Sequence, residues 1–397
     1  MELTVNERIA NNVEVMELIE LKHITNNLDN RRIPLNGIER EKKTKIGLYP
    51  YVGANNIQGY IDEYIFDEKI LCIAEDGGSW GKGEKCAVIM NEKCWVNNHA
   101  HVLTAKDNLV LEYLMYYFNH ADLSLHINGA TRGKLTQGTL NSLKIPLPPL
   151  PTQQKIAKIL DTADQLRQYN KQLIEKYNAL TQSLFLDMFG DPVKNEKGWE
   201  KMELKNCTSK IGSGSTPRGG KEAYHTEGIS LIRSLNIYDN DFKYKKLAFI
   251  NDDQATKLKN VTVESNDVLF NITGASVCRC TVVPNDVLPA RVNQHVSILR
   301  PISDKLHSLF LSHLLISENI KIQLLGVGLA GGAIMEAITK DQLEKFNIPV
   351  PPIELQSQFA ERVQLIETQK QKAQEALAKS EDLFQSLLQK AFKGELN

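Results

Sequence analysis

The chain has 397 residues, 42% of them hydrophobic and 24% charged, with a formal net charge of -1 at pH 7. That length allows two domains of ~150 residues, each able to bury its own core. No run of ~18 apolar residues and no charged-then-apolar start is present, which argues against a membrane span or a secretory leader and makes the cytoplasm the expected location. Charge is spread evenly, with 16 Lys/Arg against 19 Asp/Glu in residues 1–147 and 19 against 16 in residues 197–349. Affinity for a polyanion must therefore come from placed clusters or from a charged partner.

Residues 1–147 read as an α+β body. Short β-rich runs, among them Ile70-Leu-Cys-Ile-Ala74 and Cys86-Ala-Val-Ile-Met90, alternate with turns rich in Gly and Asn. A helical stretch near Leu109 to Asn119 and a loop at Gly129 follow. Ile145-Pro-Leu-Pro-Pro-Leu150 then opens a run of about 38 residues without Gly or Pro, which predicts a helix of ~57 Å within 148–191. Asp191-Pro192 breaks it, and Gly198-Trp199 leads into a second α+β body over 192–349. That body carries the runs Val268-Leu-Phe-Asn-Ile272 and Val296-Ser-Ile-Leu299 and a helical stretch near Leu306 to Ser317. Ile348-Pro-Val-Pro-Pro-Ile353 opens a second long helix within 350–397.

The order body, helix, body, helix is a tandem duplication. Gln153, Ala157, Gln168, Lys176, Leu180 and Phe189 recur 203 positions on as Gln356, Ala360, Gln371, Lys379, Leu383 and Phe392. Thr136 and Leu140 recur as Thr339 and Leu343. Further upstream the match loosens: Val96-Asn-Asn-His99 parallels Val292-Asn-Gln-His295, and Asn56-Ile57 parallels Asn236-Ile237. The opening, Met1 to Leu28, lacks the Gly-Trp and Gly-x-Thr-Pro features of the second body. Divergent bodies on matching tails imply two related tasks on one frame.

Along the first tail Ile156, Ile159, Ala163, Leu166, Asn170, Leu173, Tyr177, Leu180 and Leu184 alternate spacings of three and four. Phe359, Val363, Ile366, Lys370, Ala373, Leu377, Ser380, Phe384, Leu387 and Ala391 do so in the second. These are heptad seams. A ~57 Å helix overhangs a ~150-residue domain about 30 to 40 Å across, so the tails are expected to pair with each other rather than each lie on its own body. Antiparallel pairing is expected, with Asn170, Lys370 and Ser380 fixing the register.

Signatures of catalysis are missing. Six cysteines without framework spacing imply reduced thiols, and Cys86, Cys94, His99 and His101 lack the paired short spacings of a zinc site. Gly81-Lys-Gly has neither the spacing nor the Ser/Thr of a phosphate-binding lysine loop, and Gly326-x-Gly-x-x-Gly331 follows a helix rather than a strand. There is no His-Glu-x-x-His and no Asn/Asp-Pro-Pro-aromatic run of an amino-methyltransferase. No catalytic residue, metal or cofactor is expected in this chain.

What remains are polar, basic loops of the residue types that contact bases and phosphates. In the first body these are Asn30-Arg31-Arg32, Lys82-x-x-Lys85 and Arg132-x-Lys134, with Lys42 to Lys45 read as idle surface. In the second they are Thr216, Arg218 and Lys221 in Ser213-Gly-Ser-Thr-Pro-Arg-Gly-Gly-Lys221, then Arg233, Asn236, Arg279 and Arg291. Arg218 and Lys221 lead, because neighbouring glycines expose backbone amides for phosphate. The second body has Gly332-Ala-Ile-Met-Glu336 where the first has Gly129-Ala-Thr-Arg-Gly-Lys134, so this loop is expected to serve DNA in the first body only.

The duplicated Ile-Pro-x-Pro-Pro-x…Gln element with its long helix, Leu184-Phe-Leu-Asp-Met-Phe-Gly-Asp191, and Gly198-Trp-Glu with Ile211-Gly-Ser-Gly-Ser-Thr-Pro217 together resemble the specificity subunit of type I restriction-modification systems. The resemblance covers nearly the whole chain. It implies two target-recognition domains, over 1–147 and 192–349, each reading one half of a bipartite, asymmetric site in double-stranded DNA, with paired spacer helices setting the gap. It also implies two modification subunits that methylate adenine from S-adenosylmethionine and restriction subunits that use ATP and Mg, so that cofactors lie in partners. The competing reading is a two-headed protein-protein scaffold without DNA specificity.

Overall fold

The computed structural model describes residues 17–54, 56–129, 131–217, 220–329 and 337–396, in two compact units. One comprises Met1–Gln172 with Gln374–Asn397, the other Leu173–Ala373. In the first, strands β1 (Glu17–Glu20), β2 (Thr25–Asn27), β3 (Tyr49–Val52), β4 (Ile57–Ile61), β5 (Ile70–Ala74), β6 (Ala87–Met90), β7 (Trp95–Val96), β8 (Ala100–Ala105) and β9 (Lys144–Leu147) precede a long helix. They form an antiparallel sheet of order β2-β8-β5-β6, a sheet β4-β3-β7 whose β3–β7 pair is parallel, and the pair β1-β9. All five residues of β5 are buried because both of its faces are covered. Leu71 and Ile73 meet Leu111, Leu114 and Phe118 of helix α1 (Leu111–His120), while Ile70 and Cys72 meet Val52, Phe66 and Val96. Two-residue alternation thus turns one apolar run into the wall of two cores.

The second unit repeats this plan. Strands β10 (Lys201–Glu203), β11 (Thr208–Ser213), β12 (Ile229–Ile232), β13 (Ile237–Tyr238), β14 (Asp241–Phe242), β15 (Ala248–Ile250), β16 (Thr262–Val263), β17 (Val268–Asn271), β18 (Cys280–Val282), β19 (Ala290–Val292), β20 (Val296–Pro301) and β21 (Asn347–Pro349) give sheets of order β11-β20-β17-β18 and β15-β12-β19-β16, with pairs β10-β21 and β13-β14. The β12–β19 pair is parallel, as β3–β7 is. The likeness reaches the openings that looked dissimilar. Glu17-x-x-Glu-Leu-Lys-x-x-Thr25 matches Glu200-x-x-Glu-Leu-Lys-x-x-Thr208, and Thr25 Oγ1 donates to the Leu21 carbonyl at 2.8 Å as Thr208 Oγ1 does to Leu204 at 2.7 Å.

The repeated glutamine joins tail to body. Fully buried Gln153 accepts from Val110 N (2.9 Å) and donates to the carbonyls of Asn108 (3.0 Å) and Pro148 (2.9 Å). Gln356 accepts from His307 N (2.8 Å) and donates to Lys305 (3.0 Å) and Pro351 (2.7 Å). These latches sit just after the starts of helices α2 (Leu150–Phe189) and α4 (Ile353–Lys393), beside α1 in one unit and helix α3 (Ser308–Ile316) in the other.

The tails pair antiparallel in both units. In the first, Ile156, Leu160 and Ala163 of α2 pack on Phe384, Leu388 and Ala391 of α4. Asn170 Nδ2 donates to Ser380 Oγ at 3.4 Å, and the Arg167 guanidinium lies 4.0 Å from the Phe384 ring centre. In the second, Phe185 and Phe189 meet Phe359 at ring distances of 5.6 and 5.3 Å. The α4 seam is buried or half-buried at each predicted position. The α2 seam is not: Leu166, Leu173 and Leu180 stay 46%, 39% and 50% exposed, while Leu160, Arg167, Ile174 and Thr181 turn inward. Helix α2 has two apolar stripes, and the count of threes and fours merged them.

Candidate nucleic-acid interface

One turn is built alike in both bodies, just before β8 and β20. Buried Asn97 donates its backbone N–H to Val52 O (3.0 Å), and its side-chain oxygen accepts from His99 N (2.8 Å). Buried Asn293 does the same toward Ile232 O (3.1 Å) and His295 N (3.1 Å). Each asparagine fixes the turn by closing a side-chain-to-backbone ring. The exposed residue after it, Asn98 or Gln294, and the histidine that follows are left for other work.

In the second body those side chains form a polar chain. Thr216 Oγ1 donates to Gln294 Oε1, Gln294 Nε2 lies 3.0 Å from His295 Nε2, and His295 Nδ1 lies 2.6 Å from Thr273 Oγ1. A consistent assignment has Gln294 donating to Nε2 of a neutral imidazole whose Nδ1–H points at Thr273. Glycine is required beside it. Gly214 N donates to Asn293 O (3.1 Å), and a Cβ on Gly214 would lie 1.8 Å from Val292 O. The glycine-rich loop is thereby seated on the asparagine turn.

In the first body the same position is ionic. His99 Nδ1 is 3.2 Å from Asp76 Oδ2, and Arg132 Nε is 2.8 Å from Asp76 Oδ1. Behind it Glu75, Asp29, Arg32 and His101 form a cluster of low exposure, with Lys134 Nζ 3.1 Å from Glu75 Oε1. Burial works against both carboxylates, yet His101 on Asp29, and Arg32, His101 and Lys134 on Glu75, hold them below the usual range. Asp29, Glu75 and His101 come within 4.8 Å of one another, but Arg32 and Lys134 already neutralise the carboxylates, so the group reads as an ion-pair network rather than a metal centre.

A family profile described as the type I restriction modification DNA specificity domain matches residues 11–178 and 196–377. The chain belongs to this family. It is 23% identical over 370 residues to the MjaVIII specificity subunit of Methanocaldococcus jannaschii, covering 86% of this chain and 85% of that one. A protein described as a type I restriction enzyme specificity subunit of Haemophilus influenzae is 34% identical over 163 residues, 39% of each chain. The MjaX specificity subunit of Methanocaldococcus jannaschii is 29% identical over 302 residues, 70% of this chain and 66% of its own length. Among solved structures, the S subunit of the type I restriction-modification system from M. genitalium superposes with a TM-score of 0.64 at 16% identity, over 98% of both chains. A chain from work on complex assembly and conformational transition of the type I R-M system gives 0.54 at 18% identity, over 96% of this chain and 98% of that one. These superpositions speak to the fold.

Within this specificity fold the basic residues singled out above scatter. Asn30, Lys82 and Lys85 are exposed. Arg31 pairs with Glu68 and lies 4.7 Å over the Phe66 ring. Arg32 instead spans Glu75 and the Ala100 carbonyl in the ion-pair network, so its role is structural. Arg132 and Lys134 are brought together, though each is held by a carboxylate. Asn236 is fully buried, accepting from Arg233 N (3.1 Å) and donating to Lys243 O (2.8 Å), and has no atom to offer a duplex. Arg233 donates to Lys246 O and lies 5.1 Å over Tyr224, and Arg279 lies 4.5 Å over Tyr238. Half-buried Arg291 donates to Ala255 O (3.2 Å) and Ala290 O (2.9 Å), and burial draws its pKa down. Arg218 and the Lys221 side chain lie outside the described residues. Gln294, His295, Thr273, Asp76 and His99 were not among the expected contacts. The Val-Asn-x-His repeat was the signal, visible but read only as duplication.

Proposed function

We propose that this chain is the non-catalytic DNA-recognition subunit of a type I restriction-modification assembly. Each body reads one half of a bipartite, asymmetric duplex site, and the paired tail helices fix the gap. The observation that carries this reading is the Asn97/Asn293 turn: one backbone frame, used twice, with different side chains on it. A scaffold for a common protein partner gives no reason for that pattern.

The partners are modification subunits, which supply S-adenosylmethionine and adenine methylation, and restriction subunits, which supply ATP, Mg and cleavage. They dock on the tails. The second apolar stripe of α2 leaves a groove lined by Ile159, Ala163, Leu166 and Tyr169 with Leu383 and Leu387 of α4, and Tyr169 and Leu383 are 57% and 48% exposed. An apolar face of this kind suits a partner helix. A net charge of -1 leaves part of the phosphate neutralisation to those partners. Among the described residues no helix is long and apolar enough to cross a membrane, and genomic DNA as target puts the assembly in the cytoplasm.

Co-expression with the modification subunit, followed by genome-wide mapping of methylated adenine, tests this. One two-part motif with a fixed gap is expected. A stable complex that adds no methylation and binds duplex DNA without sequence preference would favour the scaffold.

A further inference from the structure

We infer that Gln294 is a base-reading residue of the second body, its carboxamide taking the major-groove edge of an adenine, with His295 as its positioning residue. This deepens the reading above and rests on it.

The latch at Gln356 holds Lys305 and His307, just beyond the C-terminal end of β20, whereas Gln294 precedes its N-terminal end. Six strand residues at ~3.3 Å each put these two ends ~20 Å apart. The first body has the same layout, with Asn98 before β8 and the Gln153 latch on Asn108 and Val110 beyond it. The turn therefore sits at the end of the body away from its own tail attachment.

A primary amide offers two N–H donors and two carbonyl lone pairs. Thr216 takes one lone pair of Gln294 and His295 one N–H, which leaves one of each. A free donor beside a free acceptor on a planar amide is the pattern that pairs with adenine N7 and N6–H. The amide is also held before any ligand arrives, because His295 is itself anchored through Thr273. An exposed glutamine without such anchors would lose rotamer freedom on binding. Thr216 belongs to the glycine-rich loop that Gly214 seats against Asn293, so the loop that holds the amide is itself tied to the asparagine turn.

The buried asparagine and the histidine are common to both turns, whereas Gln294 replaces Asn98 and Thr273 replaces Asp76. What is shared builds the turn, and what differs can tell one half-site from the other.

The test uses the chain assembled with its modification subunits, comparing Gln294→Ala, Gln294→Asn and wild type by methylome mapping and by equilibrium binding to the native site and its single-base variants. Assembly yield and melting of each complex check the fold. Relaxation at one A·T pair in one half, discrimination there falling roughly 5- to 150-fold and the other half unchanged, is the expected result. An unchanged motif and unchanged affinities in Gln294→Ala overturn the inference while leaving the DNA-recognition reading intact. Affinity lost equally for every sequence overturns it too, since that marks a phosphate or purely structural contact. A wild-type complex without any motif sinks both.

Discussion

Removing the buried glutamine that latches each tail to its body should destabilise one unit at a time. In Gln153→Ala the Val110 N–H loses its acceptor and the Asn108 and Pro148 carbonyls lose their donor, all within a site where Gln153 itself is 0% exposed. Each buried group left unpaired costs about 1–3 kcal/mol, and partial relaxation or an entering water lowers the sum. We expect about 3–5 kcal/mol, a large fraction of a domain's stability. Because the protein has two units, a single unfolding midpoint is a poor measure, and hydrogen exchange at named amides is better. Protection should fall at Val110 in Gln153→Ala and at His307 in Gln356→Ala, each variant sparing the other site. Gln153→Leu should not rescue, since it fills space but pairs with nothing. Losses under 1 kcal/mol with both amides still protected would show that the latch is not a stability element.

Three further outcomes follow from the geometry. His313, on α3, accepts from Asn240 Nδ2 and packs on Phe359, and burial together with the Lys370 charge lowers its pKa to about 4. A histidine depressed when folded keeps its full contribution above the unfolded value of ~6.5 and loses it as pH falls from there to about 4, so the second unit should lose about 3 kcal/mol over that window in denaturant titrations; His313→Gln showing the same slope would refute this. Gly214→Ala should displace the glycine-rich loop from the asparagine turn, abolishing methylation in complexes that still assemble and melt normally, whereas wild-type methylation would show that the loop tolerates the clash. Deleting the heptads centred on Asn170 and Ser380 together keeps the seam in phase and shortens the helix pair by ~10 Å, so the gap in the methylated motif should shrink by ~3 base pairs with both halves unchanged, and a full-length gap would rule out the helices as its measure.

Much of the frame was legible. The Pro-Pro starts, the runs without Gly or Pro and the repeated Gln predict both long helices and their duplication, because helix punctuation and heptads are local in sequence. The α2 seam was mis-registered because Leu166, Leu173 and Leu180 are as apolar as true seam residues, and periodicity cannot say which of two stripes meets the partner. The recognition residues were harder. Arg32, Asn236 and Arg291 have the composition of DNA contacts, but the fold spends their hydrogen bonds on carboxylates and carbonyls that lie 1 to 68 positions away in the chain. Gln294 carries no charge, and only its register against Asn98 and its neighbour Thr216, 78 positions distant, mark it.

The two bodies also show how such a site diverges. Backbone hydrogen bonds equate Glu75 with Ile272 and Asp76 with Thr273, since Glu75 N donates to His99 O as Ile272 N does to His295 O. Strand bridges then equate Lys134 with Ala337, through Asp76–Lys134 and Thr273–Ala337. Two residues past the shared histidine, buried His101 corresponds to buried Ser297. Glu75, Asp76, His101 and Lys134 of the first body's ionic network thus have Ile272, Thr273, Ser297 and Ala337 as their uncharged counterparts in the second. An intermediate holding Glu75 without Arg32 or Lys134 would bury an unpaired charge, which is costlier than either complete arrangement. Asp76 and Thr273, the residues that anchor the turn histidines, lie directly beside the members of this set. A graft of Gln294 and Thr273 alone into the first body leaves Glu75 with Arg32, His101 and Lys134 and should melt much as wild type does, whereas a graft that also carries Ala337 in place of Lys134 while keeping Glu75 should melt lower.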